Sequence, residues 1–216
     1  MSYQHRLAGT KNLLSDEFAH LRRRRLGTAD RWVVRIGPGE YYATTEDDMI
    51  STVLGSCVAA CVRNRVTGVG GMNHFLLPTT FDEDSPRWGE TPVSAAMRFG
   101  NVAMEKLINL VLGPERRRSD LEIKVFGGAR VLRARIDIGD RNVEFVRTYL
   151  AKEGLPIAAQ DLGGGVPRKV VFDPSSGVVF VKNLGATTRD RIAGRELDYM
   201  EEIRHQPVTG DLELFE

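Results

Sequence analysis

A chain of 216 residues, 42% hydrophobic and 27% charged, has the composition of one sizeable globular domain with a core of its own. A count of 30 basic against 29 acidic residues leaves a net charge of +1, which argues against a domain-wide basic footprint for nucleic acid. No run approaches the ~20 apolar residues of a membrane span, the amino terminus lacks a signal-peptide apolar region, and the 2 cysteines make a poor disulfide framework. The chain is therefore expected to be cytoplasmic, with reduced thiols and no direct membrane insertion.

Residues 1–30 are polar and arginine-rich, with one weakly helical stretch at Leu13–Leu21 and a run of arginines at Arg22–Arg25. They read as an N-terminal extension that the chemistry can do without, their arginines as a solvated face. From Arg31 the character changes. RWVVRIGPGEYY is a strand running into a Gly-Pro-Gly turn. MISTVLGS, CVAACVRN and GVGGMNHFLL follow as three more apolar runs, and residues 79–92 read as a long exposed loop. Val93–Leu112 has the clearest helical spacing, with Phe99, Ala103, Leu107 and Leu110 on one stripe and Gly113-Pro114 as its stop. That stripe is what a core-facing helix needs. LEIKVFGG is a strand. IGDRNVEFVRTYLAKEG is a second helix with Asp140 as candidate N-cap, and RKVVFD with GVVFVK forms a hairpin. The chain is thus expected to be α/β: a single domain of mixed, largely antiparallel sheets with two main helices, spanning 31–186, and 187–216 is expected to be a charged tail with one helix before a frayed end.

Both cysteines and one of the four histidines fall within residues 51–78. A hairpin turn centred between Arg65 and Val66 would set Cys57 directly opposite His74, on one face of the sheet; a one-residue slip would separate them. A thiol beside an imidazole can pass its proton across, giving a nucleophile and a general acid. Gly55 permits close backbone approach, and the amides around Ser56 and Cys57 are candidate oxyanion donors. The plainer reading is also open: a lone cysteine in an apolar run is usually a small core residue, as Cys61 is expected to be. A metal site built on Cys57, Cys61 and His74 lacks a fourth ligand. The imidazole needs a third group to orient it, and Ser51, Thr52 and Asn73 are the nearby candidates.

TVLGSCVAACV, GGMNHFLLP, VFGGARVL, IGDRNVEFV and AQDLGGGVPRKVVF occur in this order, and together they resemble the bacterial chemotaxis family CheD over roughly residues 33–185. The resemblance implies a chemoreceptor glutamine deamidase with a fold similar to the deamidating cytotoxic necrotizing factor toxins. It implies Cys57 as nucleophile, His74 as base, and no metal or organic cofactor. The family's third residue is a threonine six positions before the cysteine, where this chain has Ser51, with Thr52 beside it. Register to the cysteine favours Ser51 as the residue that orients His74. Phe99 stands where a tyrosine is expected. The implied partners are the cytoplasmic helical domains of methyl-accepting chemoreceptors and a CheC-type phosphatase, with receptor methylesterase activity as a second reaction. The alternatives are a non-catalytic docking module and a cysteine hydrolase of small molecules.

Overall fold

A computed structural model describes residues 17–25, 31–77, 92–113, 117–131 and 138–205. Its strands form two five-stranded sheets. The outer sheet runs β1 (Arg22–Arg25), β2 (Trp32–Arg35), β4 (Met49–Leu54), β9 (Arg168–Phe172), β10 (Val179–Asn183). The central sheet runs β3 (Tyr41–Thr44), β6 (Gly70–Asn73), β5 (Val58–Asn64), β7 (Leu121–Gly127), β8 (Ile157–Leu162). Only β2–β4 and β7–β8 pair in parallel among the described strands, so the expected mixed and largely antiparallel α/β architecture holds. The stretch that ends in a glycine triplet adds a strand, β8, that the turn-rich sequence did not suggest.

Strand β5 is apolar on both faces because it is covered on both sides. Val58, Ala60 and Val62 point into a core shared with helices α1 (Pro92–Leu112) and α2 (Ile138–Lys152). Cys57, Ala59 and Cys61 point the other way, into a core between the two sheets with Ile50, Leu54, Val170 and Phe172. The layers are therefore helices, central sheet, outer sheet. Helix α1 matches its expected span. Helix α2 begins two residues earlier than expected, at Ile138. Asp140 thus lies in its first turn, ion-paired with Arg130 at 2.6 Å, and is not its N-cap. The expected loop at 79–92 falls almost wholly outside the described residues.

Two expected boundaries need correction. Residues 17–25 belong to the fold: β1 pairs antiparallel with β2, and Phe18 (1% exposed) and Leu21 are buried in the inter-sheet core. Phe18 packs edge-on against Tyr41 and Tyr42, with ring centroids 5.5 and 5.1 Å away. Two apolar anchors in an otherwise polar stretch give little compositional signal. At the other end, the charged segment forms helix α3 (Ala186–His205), which buries Ile192, Glu196 and Met200. Phe18→Ala is accordingly expected to lower unfolding stability by about 3–5 kcal/mol, and a chain starting at Ala29 to lose more. Urea denaturation followed by circular dichroism measures both, and an unchanged midpoint for Phe18→Ala would show that this segment adds nothing to the fold.

Candidate active site

The hairpin register differs from the expected one by two residues. Cys61 pairs with Met72, and Arg63 with Gly70, and the bridge between Val58 and Phe75 continues the same alignment. This alignment sets His74 across from Ala59 and diagonal to Cys57, not directly opposite Cys57. An even slip preserves the face, so thiol and imidazole still share the inter-sheet side. Diagonal neighbours lie roughly 7–8 Å apart at the backbone, within reach of longer side chains.

His74 is 2% exposed, and its backbone is fixed by bonds from its N–H to the Glu40 carbonyl (2.9 Å) and from the Gly39 N–H to its own carbonyl (2.8 Å). Its Nδ1 lies 2.7 Å from the Thr52 hydroxyl. That hydroxyl donates its one proton to the Ile36 carbonyl at 2.9 Å, so it can only accept from the ring, and Nδ1 carries the hydrogen. Nε2 is then the basic nitrogen, buried and without a hydrogen-bond partner among the described residues. Burial alone pulls the imidazole pKa down to about 3, which keeps the ring neutral.

Thr52, not Ser51, orients the histidine. Along β4, Ile50, Thr52 and Leu54 face the inter-sheet side, and Ser51 and Val53 face away. Ser51 lines, with Arg35, Lys169 and Arg195, a 560 Å³ cleft on the far side of the outer sheet, which Thr52 also borders. The strand alternation was legible, but the spacing to the cysteine favoured the wrong member of the pair. Asn73 is also elsewhere: its Oδ1 accepts from the Ala60 N–H (2.9 Å) and its Nδ2 donates to the Ala103 carbonyl (2.9 Å).

Cys57 is fully buried and ends the sharp Gly55–Ser56–Cys57 connection between β4 and β5. The three carbonyls of this turn are all held by other elements. Gly55 O accepts from Ala129 N–H and Cys57 O from Gly128 N–H, each at 2.7 Å. Ser56 O accepts from the Asn142 side chain at 2.8 Å. With the carbonyls committed, the three amides converge on one point and form an anion nest. Gly127, at φ 111, brings its backbone against the Cys57 carbonyl, where a side chain would collide. Gly55 is equally crowded: a Cβ there would stand 2.7 Å from Val131 and 2.9 Å from Glu196.

The nest is occupied. Glu196 Oε1 accepts from the amides of Gly55 (2.9 Å) and Cys57 (3.2 Å), and Oε2 from the amide (2.8 Å) and hydroxyl (2.6 Å) of Ser56. Burial pushes the Cys57 thiol well above its ordinary pKa, and the negative charge of the Glu196 carboxylate pushes it further. Burial lifts the Tyr199 phenol to about 12. In this arrangement both thiol and imidazole are neutral.

Sequence reasoning missed Asn142 and Glu196. Asn142 is fully buried on α2 and joins the Leu77 amide (2.9 Å) to the Ser56 carbonyl. Each is a polar residue inside an apolar helical stripe: Asn142 between Ile138 and Val146, Glu196 between Ile192 and Met200. A polar residue at four-residue spacing from apolar ones on both sides is the available signal. Cys61 sits in the inter-sheet core, as expected. Among the described residues, no cluster of three or more His, Cys, Asp or Glu is placed to hold a metal, and no helix is long and apolar enough to cross a membrane.

Known proteins resemble this chain over most of its length. The family model for CheD chemotactic sensory transduction matches residues 76–183, a range that starts just beyond His74. Full-length relatives extend over Cys57 and His74. A probable chemoreceptor glutamine deamidase CheD of Hahella chejuensis is 47% identical over 185 residues, covering 86% of each chain. Its namesake in Halorhodospira halophila is 50% identical over 184 residues, 85% of each chain. That of Herminiimonas arsenicoxydans is 50% identical over 190 residues, 87% of this chain and 91% of the relative. With 47–50% identity to these relatives over 85–87% of its length, this chain belongs to the CheD family.

Proposed function

We propose that this chain is a chemoreceptor glutamine deamidase, an amide hydrolase that converts glutamine side chains of methyl-accepting receptors to glutamate. The three relatives compared above carry that activity in their names. The observation that carries the reading is the imidazole itself: Nδ1–H fixed by Thr52, Nε2 free, on the same sheet face as a thiol whose turn holds carboxylate oxygens on its amides.

Once Nε2 has taken the thiol proton, Sγ attacks the glutamine side-chain carbon and the carbonyl becomes an oxyanion held by the amides of Gly55, Ser56 and Cys57. The tetrahedral species collapses as its C–N bond breaks. The imidazolium returns its proton to the leaving nitrogen, and ammonia departs from a thioester. His74 then activates a water that adds to the thioester carbon, and breaking of the C–S bond restores the thiol and releases glutamate. The same steps on a glutamyl methyl ester release methanol.

Incubation of the full chain with a receptor cytoplasmic fragment, followed by peptide mass spectrometry, tests the proposal. Conversion appears as an increase of about 1 Da at defined glutamines, with one ammonia released per conversion. A chain that binds the fragment and leaves every glutamine intact would be a docking module instead.

A further inference from the structure

Glutamate is the product of the proposed reaction, and a glutamate already sits in the site. Glu196 lies midway along α3, 2% exposed, with its carboxylate on the nest amides, that of Cys57 among them, and on the Ser56 hydroxyl. The neighbouring inward residues of α3, Ile192 and Met200, are buried one turn before and one turn after it. Tyr199 lies against Gly39, the residue whose amide bonds the His74 carbonyl. On the other side of α3, Arg191, Arg195, Leu197 and Asp198 are exposed. A fully buried thiol and a fully occupied anion nest leave no route for a receptor side chain while α3 is in place.

We propose that α3 occupies the surface that takes the substrate helix, with Glu196 in the position of the substrate's glutamyl side chain, so that the chain carries its own product analogue and must release it to work. This rests on the deamidase reading above. It also specifies the substrate: a helix whose glutamine lies between apolar residues one turn to either side, presented as Glu196 is presented by Ile192 and Met200. Occupation of the site by α3 lowers apparent substrate affinity by the fraction of chains in which α3 is displaced. A glutamine placed at 196 would itself be a substrate, losing its amide nitrogen as ammonia through attack by Cys57 and gaining a water oxygen on hydrolysis of the thioester.

The test uses the full-length chain. In Glu196→Ala, alkylation of Cys57 by iodoacetamide is expected to run at least about tenfold faster than in the parent, and KM for the receptor fragment to fall by a similar factor with kcat little changed. Cys61 alkylation stays slow in both and reports an intact sandwich. In Glu196→Gln the introduced glutamine is expected to be converted to glutamate, a gain of about 1 Da that disappears in the Cys57→Ala background. Unchanged Cys57 alkylation in Glu196→Ala overturns the proposal. So does a Glu196→Gln chain that converts receptor glutamines and keeps its own. Faster alkylation with no conversion of any glutamine, in the receptor or at 196, overturns the deamidase reading and leaves α3 as a cover over Cys57.

Discussion

Cys57→Ala is expected to abolish glutamine conversion, a loss of at least about 10⁴-fold, because the proposed acyl intermediate forms on Cys57, the cysteine whose own amide belongs to the nest. The fold should survive. The carbonyls of the Gly55–Cys57 turn are held through the backbone by Gly128 and Ala129 and through Asn142, none of which needs the thiol. Cys61→Ala is the matched control. Cys61 is just as buried, but its side chain lies further along β5, against Met72. Its removal trims a small apolar group, costing on the order of 1 kcal/mol of stability and less than about threefold in rate. Initial rates on a receptor fragment, with a thermal melt of each variant, separate the two. Full activity in Cys57→Ala would falsify the assignment of the nucleophile.

Thr52→Ala is expected to lower kcat by about 10²–10⁴-fold, the range seen when the group that fixes a catalytic imidazole is lost. Without the hydroxyl, nothing stops Nε2 from carrying the proton, and a ring in that tautomer cannot take one from the thiol. Thr52→Ser keeps the hydroxyl between His74 and the Ile36 carbonyl and should recover activity to within about tenfold of the parent. Ser51→Ala faces the other side of the sheet and should stay within about twofold, as expected for a substitution away from such features. The informative comparison is the pH dependence of kcat across the three. A purely structural role for Thr52 would lower stability and leave the profile in place, whereas loss of the tautomer alters the profile itself. If Ser51→Ala loses more rate than Thr52→Ala, the geometry described here is not the working one.

Most of the strands and the two main helices were legible because their apolar residues repeat at periods of two or three to four; β1, β3 and β8 were not. The shared face of Cys57 and His74 was legible for a related reason: only the parity of the hairpin matters for it, and an error of two residues in the turn leaves parity intact. The choice between Ser51 and Thr52 was not legible from counting residues back from the cysteine. It depends on which face of β4 meets the other sheet, and that is set by the apolar neighbours Ile50 and Leu54. Phe18 and Leu21 were hidden in an arginine-rich stretch whose average composition says solvent. Glu196 was hidden because a carboxylate in a charged helix looks ordinary until its neighbours at four-residue spacing are both found buried.

Thr52 belongs to the outer sheet, whereas Cys57 and His74 flank strands of the central one, so the hydrogen bond between Thr52 and His74 spans the gap between two layers that stack about 10 Å apart. The side chains filling that gap, among them Ala59, Met72, Val170 and Phe172, are therefore spacers as well as filler. Packed interiors transmit small changes of volume as shifts of their walls. Trimming or enlarging a spacer moves one sheet relative to the other, and a 2.7 Å contact has little slack to absorb the movement. For the proposed reaction, turnover is in that sense a gauge of sheet separation, and selection on its rate would reach core residues that never meet the substrate.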